Sequence, residues 1–141
     1  MQYQLYSQLL RLDLSNDHLL QMYYVLYYDL KEDEESMADS IARLIAIREK
    51  IKLELRRHLF NIKNSIKETT ITGAVMEYLP VFLKLGHLAK NTFNTPNLEL
   101  CYEKERRNIK LYYETLYNQN LTSDIVDVLL KQKRNLESLP E

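Results

Sequence analysis

Between Met37 and Ile62 the chain reads MADSIARLIAIREKIKLELRRHLFNI, with neither glycine nor proline to interrupt it. Apolar residues recur at Met37, Ile41, Leu44, Ile51, Leu55 and Ile62, in steps of four, three or their sum. That is the period of one face of an α-helix, and nothing in the run breaks it. Two members of the stripe are polar: Arg48 in the middle and His58 near the end. A guanidinium on a core-facing stripe needs a partner, because burying an isolated charge is very costly. Any fold for this chain has to bring that partner from another element.

The preceding segment has the same period. Leu5, Leu9, Leu12, Asn16, Leu19, Tyr23, Leu26 and Leu30 step by four and three without a slip. Ser15-Asn16-Asp17 on its own resembles a helix start, since Ser and Asn cap helices well. The unbroken period favours one helix over about 3–30 with Asn16 in its seam. Lys31 to Glu35 is charged and short. It reads as a solvated turn that makes the first two helices antiparallel neighbours and places acids at the start of the second, about 35–64. The outer face of that second helix is basic: Arg43, Lys50, Lys52, Arg56, Arg57 and Lys63.

The period is lost over about 65–95. Thr69 to Gly73 is β-branched and ends in glycine, and the apolar stretch Ala74 to Lys90 is interrupted by Pro80 and Gly86. The expectation is a partly helical crossover kinked at Pro80, long enough to run the length of a bundle at ~1.5 Å per helical residue. Thr95-Pro96 looks like a cap followed by a first-turn proline. A third helix is then expected over about 96–118, with Leu98, Tyr102, Glu105, Ile109, Tyr112 and Leu116 on its stripe and Cys101 beside it. A turn at 118–122, capped by Thr122 or Ser123, leads to a fourth helix over about 123–138. Its stripe is Ile125, Leu129 (or Val128), Gln132, Leu136 and Leu139. The whole, residues 1–141, is expected to be one all-α domain: a four-helix bundle with a long crossover between helices two and three.

Composition agrees with that class. Hydrophobic residues are 45% and charged residues 28%, which suits a folded chain rather than a disordered one. A formal net charge of −1 gives no bulk attraction to nucleic acid or to an anionic membrane. No apolar run approaches the ~20 residues of a membrane span, and MQYQLYSQLLRLDL has neither the basic start nor the apolar core of a secretory signal. The single cysteine, Cys101, excludes an internal disulfide. A cytoplasmic location is expected.

Each helix carries one polar residue in the middle third of its seam: Asn16, Arg48, Glu105 and Gln132. Folding helix one back on helix two brings residue 16 level with about residue 49. Folding helix three on helix four brings residue 105 level with about residue 135. The spacing therefore predicts one buried polar layer in which Glu105 neutralises Arg48 and two carboxamides meet the remaining donors and acceptors. The competing reading is that one or more of these side chains reaches out to solvent.

A four-helix arrangement with a long middle crossover is also that of di-iron carboxylate proteins, which need a Glu on two helices and Glu-x-x-His on the other two. No Glu-x-x-His occurs here. Glu54 and His58, four apart, supply one pair where two are needed, and Glu103 and Glu105 are the other candidates. No cofactor is favoured; the alternative is iron or another divalent metal at a degenerate site made from Glu54, His58, Glu103 and Glu105. No histidine is placed to activate Cys101, and there is no phosphate-binding glycine loop.

Cys101-Tyr102-Glu103-Lys104-Glu105 followed by Tyr112 resembles the third-helix segment Cys-Glu-x-Gly-Glu plus tyrosine of a family of small bacterial ferritin-like four-helix-bundle proteins, a domain of unknown function. Cys101, Glu105 and Tyr112 match; Tyr102 and Lys104 depart. Asn16-Asp17, Arg48 with Glu54-Leu55, and Gln132 are similar to the family's patterns in helices one, two and four. Tyr24 and Tyr28 stand where carboxylates are usual, and the closing His-Asp is replaced by Leu139 and Pro140. The resemblance implies a ferritin-like fold and no particular reaction.

Eleven tyrosines without a tryptophan are unusual. Tyr23, Tyr24, Tyr27 and Tyr28 point all round helix one, so they cannot all face one core, and tyrosine is enriched at interfaces. The expected role is non-catalytic: protein–protein contact, with self-association into a homo-oligomer favoured. The alternatives are a metal-binding or redox bundle and an adaptor that takes an acidic partner on the basic face of helix two.

Overall fold

The structure, a computed structural model, describes residues 2–30, 35–66, 97–117 and 121–138. The described residues form four α-helices and no strand: α1 Gln2–Asp29, α2 Glu35–Ile66, α3 Leu98–Leu116 and α4 Ser123–Glu137. The turn at 31–34, the crossover with its Pro80 kink, the Thr95-Pro96 start and Leu139 lie outside the described residues.

α1 is continuous through Ser15-Asn16-Asp17. None of the three acts as a cap, because each has a tertiary or charge partner instead: Ser15 on α3, Asn16 and Asp17 on α2. α3 begins two residues later than the Thr95-Pro96 signal suggests. Asn97 is its N-cap, with its side-chain oxygen accepting from the Leu100 amide at 2.8 Å. Asn is as good a cap as Thr, and the two signals lie too close for sequence alone to rank them. Thr122 caps α4 through the Ile125 amide.

α1 packs along both α2 and α3, α3 along α4, and α2 more lightly against α4. Side-chain pairings give the directions. Asp13 meets Arg56 and Asp17 meets Lys52, so α1 and α2 are antiparallel. Ser15 meets Asn108 and Tyr23 meets Glu105, so α1 and α3 are antiparallel as well. α2 and α3 are therefore parallel, and the end of α2 lies at the opposite end of the helix array from the start of α3. The short connection at 117–122 returns α4 antiparallel to α3, bringing Gln132 against Tyr112.

The apolar core comes in two clusters. The larger joins Leu5, Leu9 and Leu12 of α1 to Ile51, Leu55, Leu59 and Ile62 of α2, Tyr112 of α3, and Ile125, Leu129 and Leu136 of α4. The smaller joins Leu19, Met22 and Tyr23 of α1 to Ile41 of α2 and Cys101 of α3. On α1, α2 and α3 the boundary between the clusters falls at one fully buried polar residue each: Asn16, Arg48 and Asn108.

The stripe on α3 is not the one its apolar residues suggest. Leu98 and Tyr102 are exposed, while Cys101, Asn108, Tyr112 and Thr115 are buried. Together with Glu105 these step by four, three, four and three, so the true seam is one residue round from the expected one. Met37 at the start of α2 is also exposed.

Candidate functional site

Arg48 is the largest side chain buried completely in the described residues. It projects from the middle of α2 between α1 and α3. Its Nη1 donates to Asn16 Oδ1 at 3.1 Å and to Asn108 Oδ1 at 2.8 Å, and its Nη2 donates to Glu105 Oε2 in a direct ion pair. Asn16 Nδ2 returns a bond of 2.9 Å to the Arg48 carbonyl, a backbone group that the helix already uses. Asn108 Nδ2 donates to Ser15 Oγ at 3.0 Å. Glu105 accepts a second bond on Oε1 from the Tyr23 hydroxyl. Three helices are thereby tied at one level, and charge-assisted bonds carry most of the attraction. Arg48 Nε is buried without an acceptor among the described residues, a desolvation cost that the layer bears.

Of the four expected members, the structure brings Asn16, Arg48 and Glu105 together and leaves Gln132 out. Gln132 is buried one layer away, where its Oε1 accepts from the Tyr112 hydroxyl at 2.8 Å. The reason is vertical: Tyr112 sits seven residues, or about two turns, beyond Glu105, and α4 faces α3 there. Asn108 fills the vacancy. It lies three residues after Glu105, on the same face of α3. A polar residue does not register in a search for apolar stripes, but the phase from Cys101 through Glu105 to Tyr112 passes through it.

Tyr23, expected among the interface tyrosines, is instead buried and belongs to the layer. Burial and the Glu105 carboxylate hold its phenol far above the usual range, so it remains a proton donor. Tyr112 is raised as well, by burial first. Cys101 is buried beside Tyr23 and Glu105, and burial followed by the Glu105 charge pushes its thiol up to about 11. At neutral pH it is a protonated core residue, since the thiolate is the reactive form.

The metal candidates are not brought together. Glu105 has both oxygens engaged, by Arg48 and Tyr23. Glu103, two residues earlier, is exposed. Glu54 and His58 lie on α2, close enough for their charges to interact, and Asp124 at the start of α4 also acts on His58. Burial first, then Arg57, lowers the His58 pKa, and its Nε2 is buried without a partner among the described residues. Among the described residues no three His, Cys, Asp or Glu side chains gather as a metal set would require. These donors do not fit a carboxylate-bridged di-iron centre.

A second electrostatic ladder joins α1 to α2. Lys52 Nζ lies 3.3 Å from Asp17, and Arg56 lies 3.5 Å from Asp13 and 4.0 Å from Asp17. Asp13 is buried, and its Oδ1 lies 3.5 Å from Arg56 Nε, an ion pair at the outer edge of hydrogen-bond reach. Burial raises its pKa more than Arg56 lowers it.

No helix of the described residues is long and apolar enough to cross a membrane. No family model matches this chain, and no curated protein or solved structure matches it either.

Proposed function

We propose that the chain is a non-catalytic, ferritin-like helical bundle that works through protein contacts, with the C-terminal turns of α1 as a self-association surface. The helix directions support the bundle topology. Two antiparallel pairs, α1 with α2 and α3 with α4, are joined so that α2 and α3 run parallel, which is the order of a ferritin-like fold with one long crossover. Residues 67–96 are the crossover in this reading, linking opposite ends of two parallel helices. The buried layer supports a structural role. Its carboxylate is neutralised by a guanidinium, its phenol and thiol are held protonated, and among the described residues no metal set forms around it.

One observation carries the self-association. Tyr24, Val25, Tyr27 and Tyr28 lie exposed on consecutive turns of α1, and Tyr28 is 79% exposed. Tyr24 is steadied by a 2.8 Å hydrogen bond to Glu49, and the rings of Tyr27 and Tyr28 stack edge to face at 5.9 Å. A group of exposed aromatics on the surface is the kind of patch that marks an interface. Light scattering across a concentration series tests this. The expected result is a mass rising towards twice that of one chain and returning to one chain in a Tyr27→Ser, Tyr28→Ser variant. A single-chain mass at every concentration overturns it.

A further inference from the structure

The outward face of α2 carries a second helical stripe, opposite the one in the core. Ala46, Leu53 and Phe60 are spaced by seven, with Ala42 a turn before Ala46. All four are exposed, Leu53 at 72% and Phe60 at 64%. Residues seven apart drift only ~20° around a straight helix, so Ala46, Leu53 and Phe60 form one line repeating every ~10.5 Å. Beside it runs a second line with the same repeat. Arg43, Lys50 and Arg57 each stand three residues before a member of the apolar line, and all three are exposed. None has an ion pair with a described residue, in contrast to Lys52 and Arg56, which are held by Asp17 and Asp13. Glu54 stands beside the basic line, four residues after Lys50 and three before Arg57, but no ion pair joins it to either. Asp39 lies a turn before Arg43, and Glu49 is turned to Tyr24.

From this pairing of lines we infer that the outer face of α2 is a docking seam for an acidic amphipathic helix. The matching helix presents apolar residues at seven-residue spacing, flanked by Asp or Glu. The apolar line gives such a helix knobs to pack against, as in a coiled-coil seam, and the three cations, none of them ion-paired to a described residue, select acidic flanks. Charge also argues against a second copy of this chain on this face. Antiparallel pairing of two α2 faces sets the three cations of one copy against those of the other. Parallel pairing sets them against the other flank of the apolar line, where Arg56 stands and Glu49 is already bonded to Tyr24. The seam is thus separate from the tyrosine surface of α1, and either can fail without the other.

The test uses two synthetic helical peptides of three heptads, with identical leucine seams and either glutamate or lysine flanks. Binding to the full chain is read by fluorescence anisotropy, with phosphatidylglycerol vesicles and single-stranded RNA as further probes. The glutamate peptide should bind at least tenfold more tightly than the lysine peptide, and weaken with salt. Leu53→Ser with Phe60→Ser should lower its affinity at least tenfold. Arg43→Glu, Lys50→Glu, Arg57→Glu should reverse the preference towards the lysine peptide. All these positions are exposed, and unchanged circular dichroism confirms that the variants fold. Equal binding of the two peptides, or glutamate-peptide binding that neither variant alters, overturns the inference. So does binding of vesicles or RNA without binding of the glutamate peptide, which would make the face a lipid or nucleic-acid surface.

Discussion

Replacing Glu105 by alanine isolates the energetics of the buried layer. The Arg48 side chain is 0% exposed and that of Glu105 22%. The variant leaves a fully buried guanidinium whose remaining acceptors are the carbonyls of Asn16 and Asn108, and it takes the acceptor from the Tyr23 hydroxyl. Removing one member of a buried ion pair costs about 3–5 kcal/mol, because the other charge is left uncompensated. The partial exposure of Glu105 admits some water to the vacated site, which argues for the lower part of that range, about 3 kcal/mol. For a chain of 141 residues this is a fall in Tm of about 10 °C, measurable as a thermal melt at 222 nm. Arg48→Met combined with Glu105→Leu removes both charges and leaves an apolar pair of similar bulk. Because it also leaves the Asn16 and Asn108 oxygens and the Tyr23 hydroxyl without their partners, it should recover only part of the Glu105→Ala loss. A Glu105→Ala melt within about 2 °C of the parent, or a double variant worse than Glu105→Ala, would refute the reasoning.

Tyr23→Phe removes one hydrogen bond to a charged acceptor and should cost about 1–2 kcal/mol in urea unfolding. Leu55→Ala empties a site between α1, α2 and α4 and should cost about 2–5 kcal/mol, read the same way. Asp13 has a folded pKa raised above its unfolded value, so the proton it retains stabilises the fold below the ordinary carboxylate range. That contribution is lost as pH rises through the raised value. Asp13→Asn should therefore raise Tm at pH 7 and leave it nearly unchanged at pH 3. For His58 the sign is opposite: its folded pKa lies below the unfolded value of ~6.5, so its contribution is present above pH ~6.5 and lost on acidification. His58→Leu should flatten the fall in Tm between pH 7 and pH 5.

The extent to which this structure can be read from its sequence differs by helix. α1 is legible because its seam is leucine-rich and its one polar member, Asn16, keeps the period. Arg48 stands out because a charge interrupts an apolar stripe, and Glu105 stands out as the acid at a matching height. α3 is harder. Its buried face consists of Cys101, Asn108, Tyr112 and Thr115, which are small, polar or amphipathic, while the larger apolar residues Leu98 and Tyr102 face solvent. Hydrophobicity therefore points one residue off, and Asn108 disappears from view although it holds Arg48. Tyr23 is misplaced for a related reason. A tyrosine suits either an interface or a buried donor, and only the position of Glu105 opposite it decides. Gln132 shows the limit of counting heights from turns, since an error of one turn moves a side chain into the next layer.

The guanidinium protons of Arg48 give the most direct test of the buried layer. In a 15N-edited NMR spectrum of the full chain, a guanidinium clasped by Asn16, Asn108 and Glu105 should give resolved Nη resonances. They should exchange slowly with water and show cross-peaks to the Asn108 side chain. Resonances averaged by rotation and exchanging as fast as those of a surface arginine would mean that Arg48 reaches solvent, and the three helices would then not be joined in this way.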